Sequence, residues 1–236
     1  MASDPVNVSE FSELAKQALP KMIYDFFAGG ADDEWTLKQN IAAFQTIRLR
    51  PRVLVDSSHV DLSTNILGFK ISAPIMIAPT SMHKLAHPEG ELATAKAAAD
   101  AGTIMVLSFS STNTIEEVAA TCDAVRFFQL YIYKNRNISA ELLRRAEHSG
   151  YKAIVLTADT PKLGNREADI RNKLVVPSLK NLEGLLSVDM NTEKGSGLVS
   201  YAAQTLDSSF SWKDIKWVQS ITNLPILIKG ILTAED

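Results

Sequence analysis

Residues 153–159 read Ala-Ile-Val-Leu-Thr-Ala-Asp (AIVLTAD), an apolar run that passes without interruption into a threonine and an aspartate. A short continuous apolar run suits a parallel strand buried on both faces, since a half-exposed strand would alternate. The same design recurs outward in both directions. Pro225–Ile231 (PILIKGI) follows it, and Ala124–Tyr131 (AVRFFQLY), Ile104–Phe109 (IMVLSF) and Pro74–Thr80 (PIMIAPT) precede it. Helices are expected after the first four runs, over 89–101, 114–122, 138–149 and 212–222. Strands alternating with helices of this length give parallel crossover units. An open doubly wound sheet would also fit, but it carries a glycine fingerprint after its first strand. Ala78-Pro79-Thr80-Ser81 has none, and Gly195-Ser196-Gly197 lacks a third glycine and a preceding strand. The pattern therefore predicts an α/β fold of the TIM (β/α)8-barrel type, incomplete, with about five of the eight units present.

Residues 1–236 read as a single domain. Within it, 1–73 form N-terminal helices and short strands, and 74–236 carry the first five barrel strands. Ser9 is the expected N-cap of a first helix, with Phe11, Leu14, Ala15 and Leu19 at helical spacing. Pro20 opens a second helix that Gly29-Gly30 ends, and Asp32 or Asp33 caps a third. Residues 160–211 break the rhythm as a loop rich in Ser, Asn, Gly and charge. Its start (Pro161–Asn172) is expected to be ordered and its middle mobile.

Composition narrows the function classes. A net charge of −3 and an isoelectric point near 5.8 argue against a nucleic-acid or membrane-surface footprint. No apolar run approaches the roughly 18 residues of a membrane span. The N-terminus lacks a secretory signal, so a soluble, intracellular protein is expected. Cys122 is the only cysteine, which excludes an internal disulfide and a cysteine-rich metal site; no metal is expected. His59, His83, His87 and His148 all fall away from strand ends and read as solvated or structural.

The chemistry is concentrated where the apolar runs end. In a β/α barrel the C-terminal strand ends surround the active site. Here those ends carry Thr80, Ser81, Ser108, Gln129, Tyr131, Thr157, Asp159 and Lys229. Such a ring of hydroxyls, a carboxamide, a phenol, a carboxylate and an ammonium suits a planar polar heterocycle. Lys229 is the sharpest of them: an ammonium closing an apolar strand can stabilise negative charge on a cofactor or form a Schiff base.

The chain also resembles a known family through LPKMIYDFFAGGADDEWTL (19–37), ISAPIMIAPTSMHKLAHPEGE (71–91), RFFQLYIYK (126–134), LTADTPKLGNREADIRNK (156–173) and SWKDIKWVQSITNLPILIKGILTAED (211–236). It is similar to the FMN-dependent (S)-2-hydroxy-acid oxidases, the plant glycolate oxidase and long-chain hydroxy-acid oxidase group. The resemblance implies FMN as cofactor, with Pro79, Thr80 and Ser81 facing the flavin and Ser108, Gln129 and Thr157 bonding its ring. It sets Lys229 by the pyrimidine end. It gives Tyr131 the substrate hydroxyl, Arg166 the substrate carboxylate, and Asp159 an imidazolium formed in catalysis. The implied reaction moves the α-hydrogen of a 2-hydroxy acid to the flavin while a histidine removes the hydroxyl proton. A 2-oxo acid forms, and oxygen reoxidises the flavin to give hydrogen peroxide. The implied partners are a small 2-hydroxy acid and oxygen, with homo-oligomers when full length. The implied location is the peroxisome, although the C-terminus reads Ala-Glu-Asp rather than a Ser-Lys-Leu address.

Departures from the family refine these expectations. Phe26 stands where glycolate-type members carry a tyrosine, and Ser110 where they carry a tryptophan. Both changes point to medium or long aliphatic 2-hydroxy acids, since each buried methylene adds roughly 0.8 kcal/mol. Asn165 replaces an arginine, with no consequence that can be derived. From Pro74 onward the chain is shorter than the roughly 250 residues of a full barrel. The remaining strands and the catalytic histidine are expected to lie beyond Asp236, so the chain reads as a truncated form that folds poorly and turns over no substrate. Two alternatives stay open: a non-catalytic fragment lacking that histidine, and a flavin dehydrogenase using another electron acceptor.

Overall fold

The computed structural model describes residues 4–186 and 195–236. In chain order it contains helices α1 (Val8–Ala18), α2 (Lys21–Ala28) and α3 (Trp35–Thr46), then strands β1 (Thr64–Ile66) and β2 (Phe69–Ile71). There follow α4 (Glu91–Asp100), β3 (Met105–Leu107), α5 (Ile115–Thr121), β4 (Arg126–Leu130), α6 (Arg136–His148) and β5 (Ala153–Thr157). The last elements are α7 (Glu167–Arg171), α8 (Gly197–Thr205), α9 (Ile215–Gln219) and β6 (Ile226–Lys229). The chain divides into two compact units. One takes in residues 4–56, 164–176 and 195–200; the other takes in 57–163, 177–186 and 201–236.

The first unit is helical, and its caps differ from expectation. Asn7, not Ser9, caps α1, its side chain accepting the Glu10 N–H at 3.1 Å. Glu10 returns a carboxylate to the Val6 N–H at 2.9 Å, so the three-residue spacing to an acid selected the cap. Pro20 does stand immediately before α2, and Gly29 closes that helix by donating to Asp25 O at 2.8 Å. Neither Asp32 nor Asp33 caps α3. Glu34 occupies that position in a left-handed conformation (φ 57°), with its carboxylate turned back to the Gly30 N–H at 3.0 Å.

The second unit holds a parallel sheet in the order β3-β4-β5-β6. Two predicted elements come out smaller. Pro74–Thr80 pairs with β3 only at Ile77, which donates to Ile104 O and accepts from the Val106 N–H, both at 3.0 Å. Pro74 and Pro79 have no N–H to give a ladder, which is why the run does not extend as a strand. The helix expected over 212–222 begins as a single 3-10 turn (Trp212–Asp214) and ends at Gln219. The Glu147 carboxylate draws the next residues out of helical geometry, accepting from Thr222 Oγ1 at 2.8 Å and the Asn223 N–H at 3.2 Å.

Register decides which side chains share a face. Leu107 lies opposite Phe128, Gln129 opposite Val155, and Thr157 opposite Lys229. Strand side chains alternate with period two, so Val106, Phe127, Ala153, Val155 and Leu227 fall on one face, together with Ser108, Gln129, Thr157 and Lys229. The apolar members of that face form a core with Ile71 and Ile104, against which Ile66, Phe69 and Met76 pack. The antiparallel β1–β2 hairpin thus covers the apolar lower half of the face and leaves its polar upper half at the strand ends. The opposite face carries Met105, Leu107, Phe128, Leu130, Ile154 and Leu156, all buried. Helix α4 packs on β3, and α5 packs on α4 and α6.

The segment 160–211 is only partly irregular. It contains α7, a 3-10 turn at Lys180–Leu182 and the whole of α8. The mobile middle expected there falls in part on residues 187–194, which lie outside the described residues. Among the described residues no helix is long and apolar enough to cross a membrane.

Candidate functional site

At the C-terminal strand ends of the second unit, the polar half of the inner face forms one connected row. Ser108 Oγ and the Phe109 N–H each donate to Gln129 Oε1 at 3.4 Å, and Gln129 Nε2 donates to Thr157 Oγ1 at 3.1 Å. Ser108, Gln129 and Thr157 are all buried. Ser81 joins from the loop after Ile77, its hydroxyl 2.6 Å from Ser110 Oγ and 3.3 Å from Ser108 Oγ. Ser108 and Ser110 are themselves 3.1 Å apart, so three hydroxyls close a triangle between two loops. Thr80 is exposed and turns its hydroxyl to Ala78 O at 3.4 Å, with Pro79 half-buried beside it.

The outer part of the rim is a second network. Lys229 Nζ donates to Asp159 Oδ2 at 2.8 Å, and Thr160 Oγ1 donates to Asp159 Oδ1 at 2.7 Å. The Tyr131 hydroxyl stands 3.1 Å from Thr160 Oγ1. Because the single Thr160 hydroxyl hydrogen goes to the carboxylate, Tyr131 is the donor in that contact. Tyr131 is braced edge-on by Phe109, ring centroids 5.1 Å apart. Burial alone would raise the Asp159 carboxyl, but hydrogen bonds from Lys229 and Thr160 and the Lys229 charge outweigh it and hold the group below 3.8. Gly230 permits the close approach. Its φ is 106°, and a Cβ there would lie 2.6 Å from Asp159 Cβ. Asp159 and Lys229, given separate partners by sequence, are thus partners of each other.

Phe26 and Arg166 belong to the first unit and meet there. The Arg166 guanidinium stacks over the Phe26 ring at 5.5 Å and donates to Phe26 O at 2.5 Å and Gly29 O at 2.9 Å. Its Nε pairs with Asp169, which is buried. Three of its five N–H groups thus hold the C-terminal carbonyls of α2 and a neighbouring carboxylate, which fixes α2 against α7.

Three residues with no part in the sequence reading also shape these loops. Glu91 is a buried carboxylate at the start of α4, Asn181 a buried carboxamide in the 3-10 turn, and Thr160 the link between Tyr131 and Asp159. Glu91 and Thr160 lie inside quoted motifs, but an acid opening a helix reads as an ordinary dipole partner. Asn181 gives no signal, because its partners are far away in sequence. A groove of about 240 Å³ lies on the other side of β5 and β6, lined by Leu156, Ala158, Phe210, Trp212 and Ile228. Ser211 and Asp236 join its largely apolar lining, which includes no residue of the polar row.

A parallel β/α sheet with a polar row at its C-terminal edge defines a class that binds ligands there. The sequence matches the family model for FMN-dependent dehydrogenases over residues 15–236, and the chain belongs to that family. It is 63% identical over 231 residues to the peroxisomal (S)-2-hydroxyacid oxidase GLO4 of Arabidopsis thaliana, covering 98% of this chain and 64% of that protein. It is 59% identical over 233 residues to the glycolate oxidase of Spinacia oleracea, covering 98% of this chain and 63% of that protein. Among solved structures, mandelate oxidase with (S)-4-hydroxymandelic acid aligns with a TM-score of 0.92 at 34% identity, covering 98% of this chain and 66% of that one. The chain thus spans about 64% of the length of the curated relatives it matches. The relatives carry the TIM-barrel architecture expected from the strand pattern, of which this chain forms a part.

Proposed function

We propose that the polar row of the second unit seats FMN and that the whole protein oxidises (S)-2-hydroxy acids to 2-oxo acids. The observation that carries the reading is the unbroken line Ser108–Gln129–Thr157 on one sheet face, with Lys229 in register beside Thr157. The residues present fit the group: alternating hydroxyl, carboxamide and ammonium groups along a straight edge match the donors and acceptors of a flat heterocycle. Ser108, Gln129 and Thr157 would hold the ring's polar edge, Pro79, Thr80 and Ser81 would face it, and Lys229 would lie by the pyrimidine end. Bound FMN supplies an acceptor for the α-hydrogen of the substrate.

The remaining roles belong to this chain's own side chains. With its hydrogen committed to Thr160, Tyr131 presents lone pairs that can accept the substrate's hydroxyl proton in a hydrogen bond. Asp159 stays ionised beside Lys229 and can support a cation at the rim. Phe26 and Arg166 keep the substrate-side roles that the family resemblance gives them, on sequence alone. Phe26 and Ser110 favour longer aliphatic acids over glycolate, with oxygen as electron acceptor and hydrogen peroxide as product. The names of the relatives favour a peroxisomal setting. A second reading is a seat that binds flavin without turnover.

Titrating FMN into the purified 236-residue chain tests the seat through quenching of flavin fluorescence. The wild type is expected to bind, and Gln129→Leu to raise the dissociation constant about tenfold by leaving Thr157 and the Phe109 N–H unpaired. Equal affinity in both proteins, or no binding by either, would refute the seat. Peroxide release from a long aliphatic 2-hydroxy acid and from glycolate then separates oxidase from silent seat.

A further inference from the structure

We infer that Glu91 is a positioning residue for this seat: its carboxylate clamps the loop after Ile77 to the loop after β3, so that Ser81 meets Ser108 and Ser110. The inference rests on the FMN-seating reading for its functional half and on the geometry of Glu91 for its structural half.

Glu91 opens α4 and has no exposed surface. A carboxylate withdrawn from water in this way is strongly disfavoured unless its oxygens are satisfied. Oε1 accepts the N–H of His83 at 3.0 Å and of Thr112 at 2.9 Å. Oε2 accepts the Thr112 hydroxyl at 2.7 Å and the Asn113 N–H at 3.1 Å. With the Asn113 amide in its better-bonded orientation, its nitrogen reaches Oε2 as well, at 2.9 Å. Every one of these contacts is accepted, which only an acceptor-only group can do. No lysine or arginine is ion-paired with Glu91 among the described residues, so the donors belong wholly to the two loops.

The donors decide between positioning and plain stability. None comes from the sheet or from an α-helix; His83 opens a single 3-10 turn (His83–Leu85) within its loop. His83 lies two residues beyond Ser81, and Thr112 two residues beyond Ser110. No strand ladder joins these loops past Ile77, so the carboxylate takes the place of one. Thr112 Oγ1 strengthens the tie by accepting the Lys84 N–H at 3.2 Å. The approach is tight enough to dictate the residue before it. Gly90 has φ 55°, and a Cβ there would lie 2.7 Å from Lys84 Cγ and 2.9 Å from the Asn113 side-chain amide.

The test compares wild type, Glu91→Gln and Thr112→Val in the full 236-residue chain, reading amide hydrogen exchange and FMN affinity together. In Glu91→Gln a carboxamide nitrogen must face backbone donors. Exchange at His83, Thr112 and Asn113 should then accelerate about tenfold or more while β4 and β5 keep their rates. The FMN dissociation constant should rise about tenfold, and Thr112→Val should give the same pattern at about threefold. Val218→Ala, a buried change in α9, is the control for stability loss alone and should leave FMN affinity unchanged. Unchanged loop exchange, uniform acceleration across the unit, or an affinity loss no greater than the control's would overturn the inference. If Glu91→Gln does not fold, Thr112→Val decides by the same criteria. A wild type that binds no FMN refutes the seating reading and the functional half, while the exchange pattern still judges the clamp separately.

Discussion

His83 sits two residues beyond Ser81, with ring Nδ1 3.1 Å from Thr94 Oγ1. Burial pushes its pKa below 6.5, and the neighbouring Glu91 charge opposes that shift without cancelling it. The sign follows from linkage. A folded value below the unfolded one means the native state binds fewer protons, so the contribution is present above about 6.5 and is lost as pH falls through the folded value. The thermal midpoint should therefore decline as pH drops from about 7 to about 5, and His83→Gln should flatten that decline. Equal slopes in the two proteins would show that His83 does not titrate in this window. The Lys229–Asp159 pair behaves differently because both side chains are more than a third exposed. Its worth to stability is at most about 1 kcal/mol, so its importance lies in charge placement.

At the scale of elements, the loops are held by single buried polar side chains that act at long range. Asn181 shows this for the segment after β5. Its Oδ1 accepts the Ile115 N–H at 2.8 Å, its Nδ2 donates to Ser111 Oγ at 2.8 Å, and its carbonyl accepts from Arg145 at 2.9 Å. One residue thus ties the 3-10 turn to the start of α5, to the loop after β3 and to α6. Replacing it with leucine leaves the Ile115 N–H buried without a partner. Asn181→Leu should cost about 2–3 kcal/mol in urea denaturation. A loss under about 0.5 kcal/mol would place the turn outside the cooperative structure. The Arg166 fork follows the same logic in the first unit, where it closes the C-terminal carbonyls of α2.

Over the larger unit as a whole, one sheet face does two jobs at two heights. Its lower half is an apolar core of Ile71, Ile104, Val106, Phe127, Ala153 and Val155. Its upper half is the polar row. Phe127 is fully buried directly below Gln129, one pleat down the same strand. Phe127→Ala should cost about 3–5 kcal/mol by calorimetry or denaturant titration, and FMN affinity should fall with it as the row loses its floor. Stability lost without any change in flavin binding would mean that the two halves are independent.

Much of this was legible in the linear chain. Unbroken apolar runs ending in Ser108, Gln129, Thr157 and Lys229 specify parallel strands and place polar groups at one edge, because strand length and residue alternation are local properties. Family membership was equally legible, through motifs spread along the chain. Tertiary structure alone decided the partners. Sequence gave no reason to pair Lys229 with Asp159, to turn Arg166 onto the carbonyls of α2, or to gather two loops on Glu91. Those choices depend on which buried donors and acceptors lie within about 3 Å of one another, and only the folded backbone sets that distance.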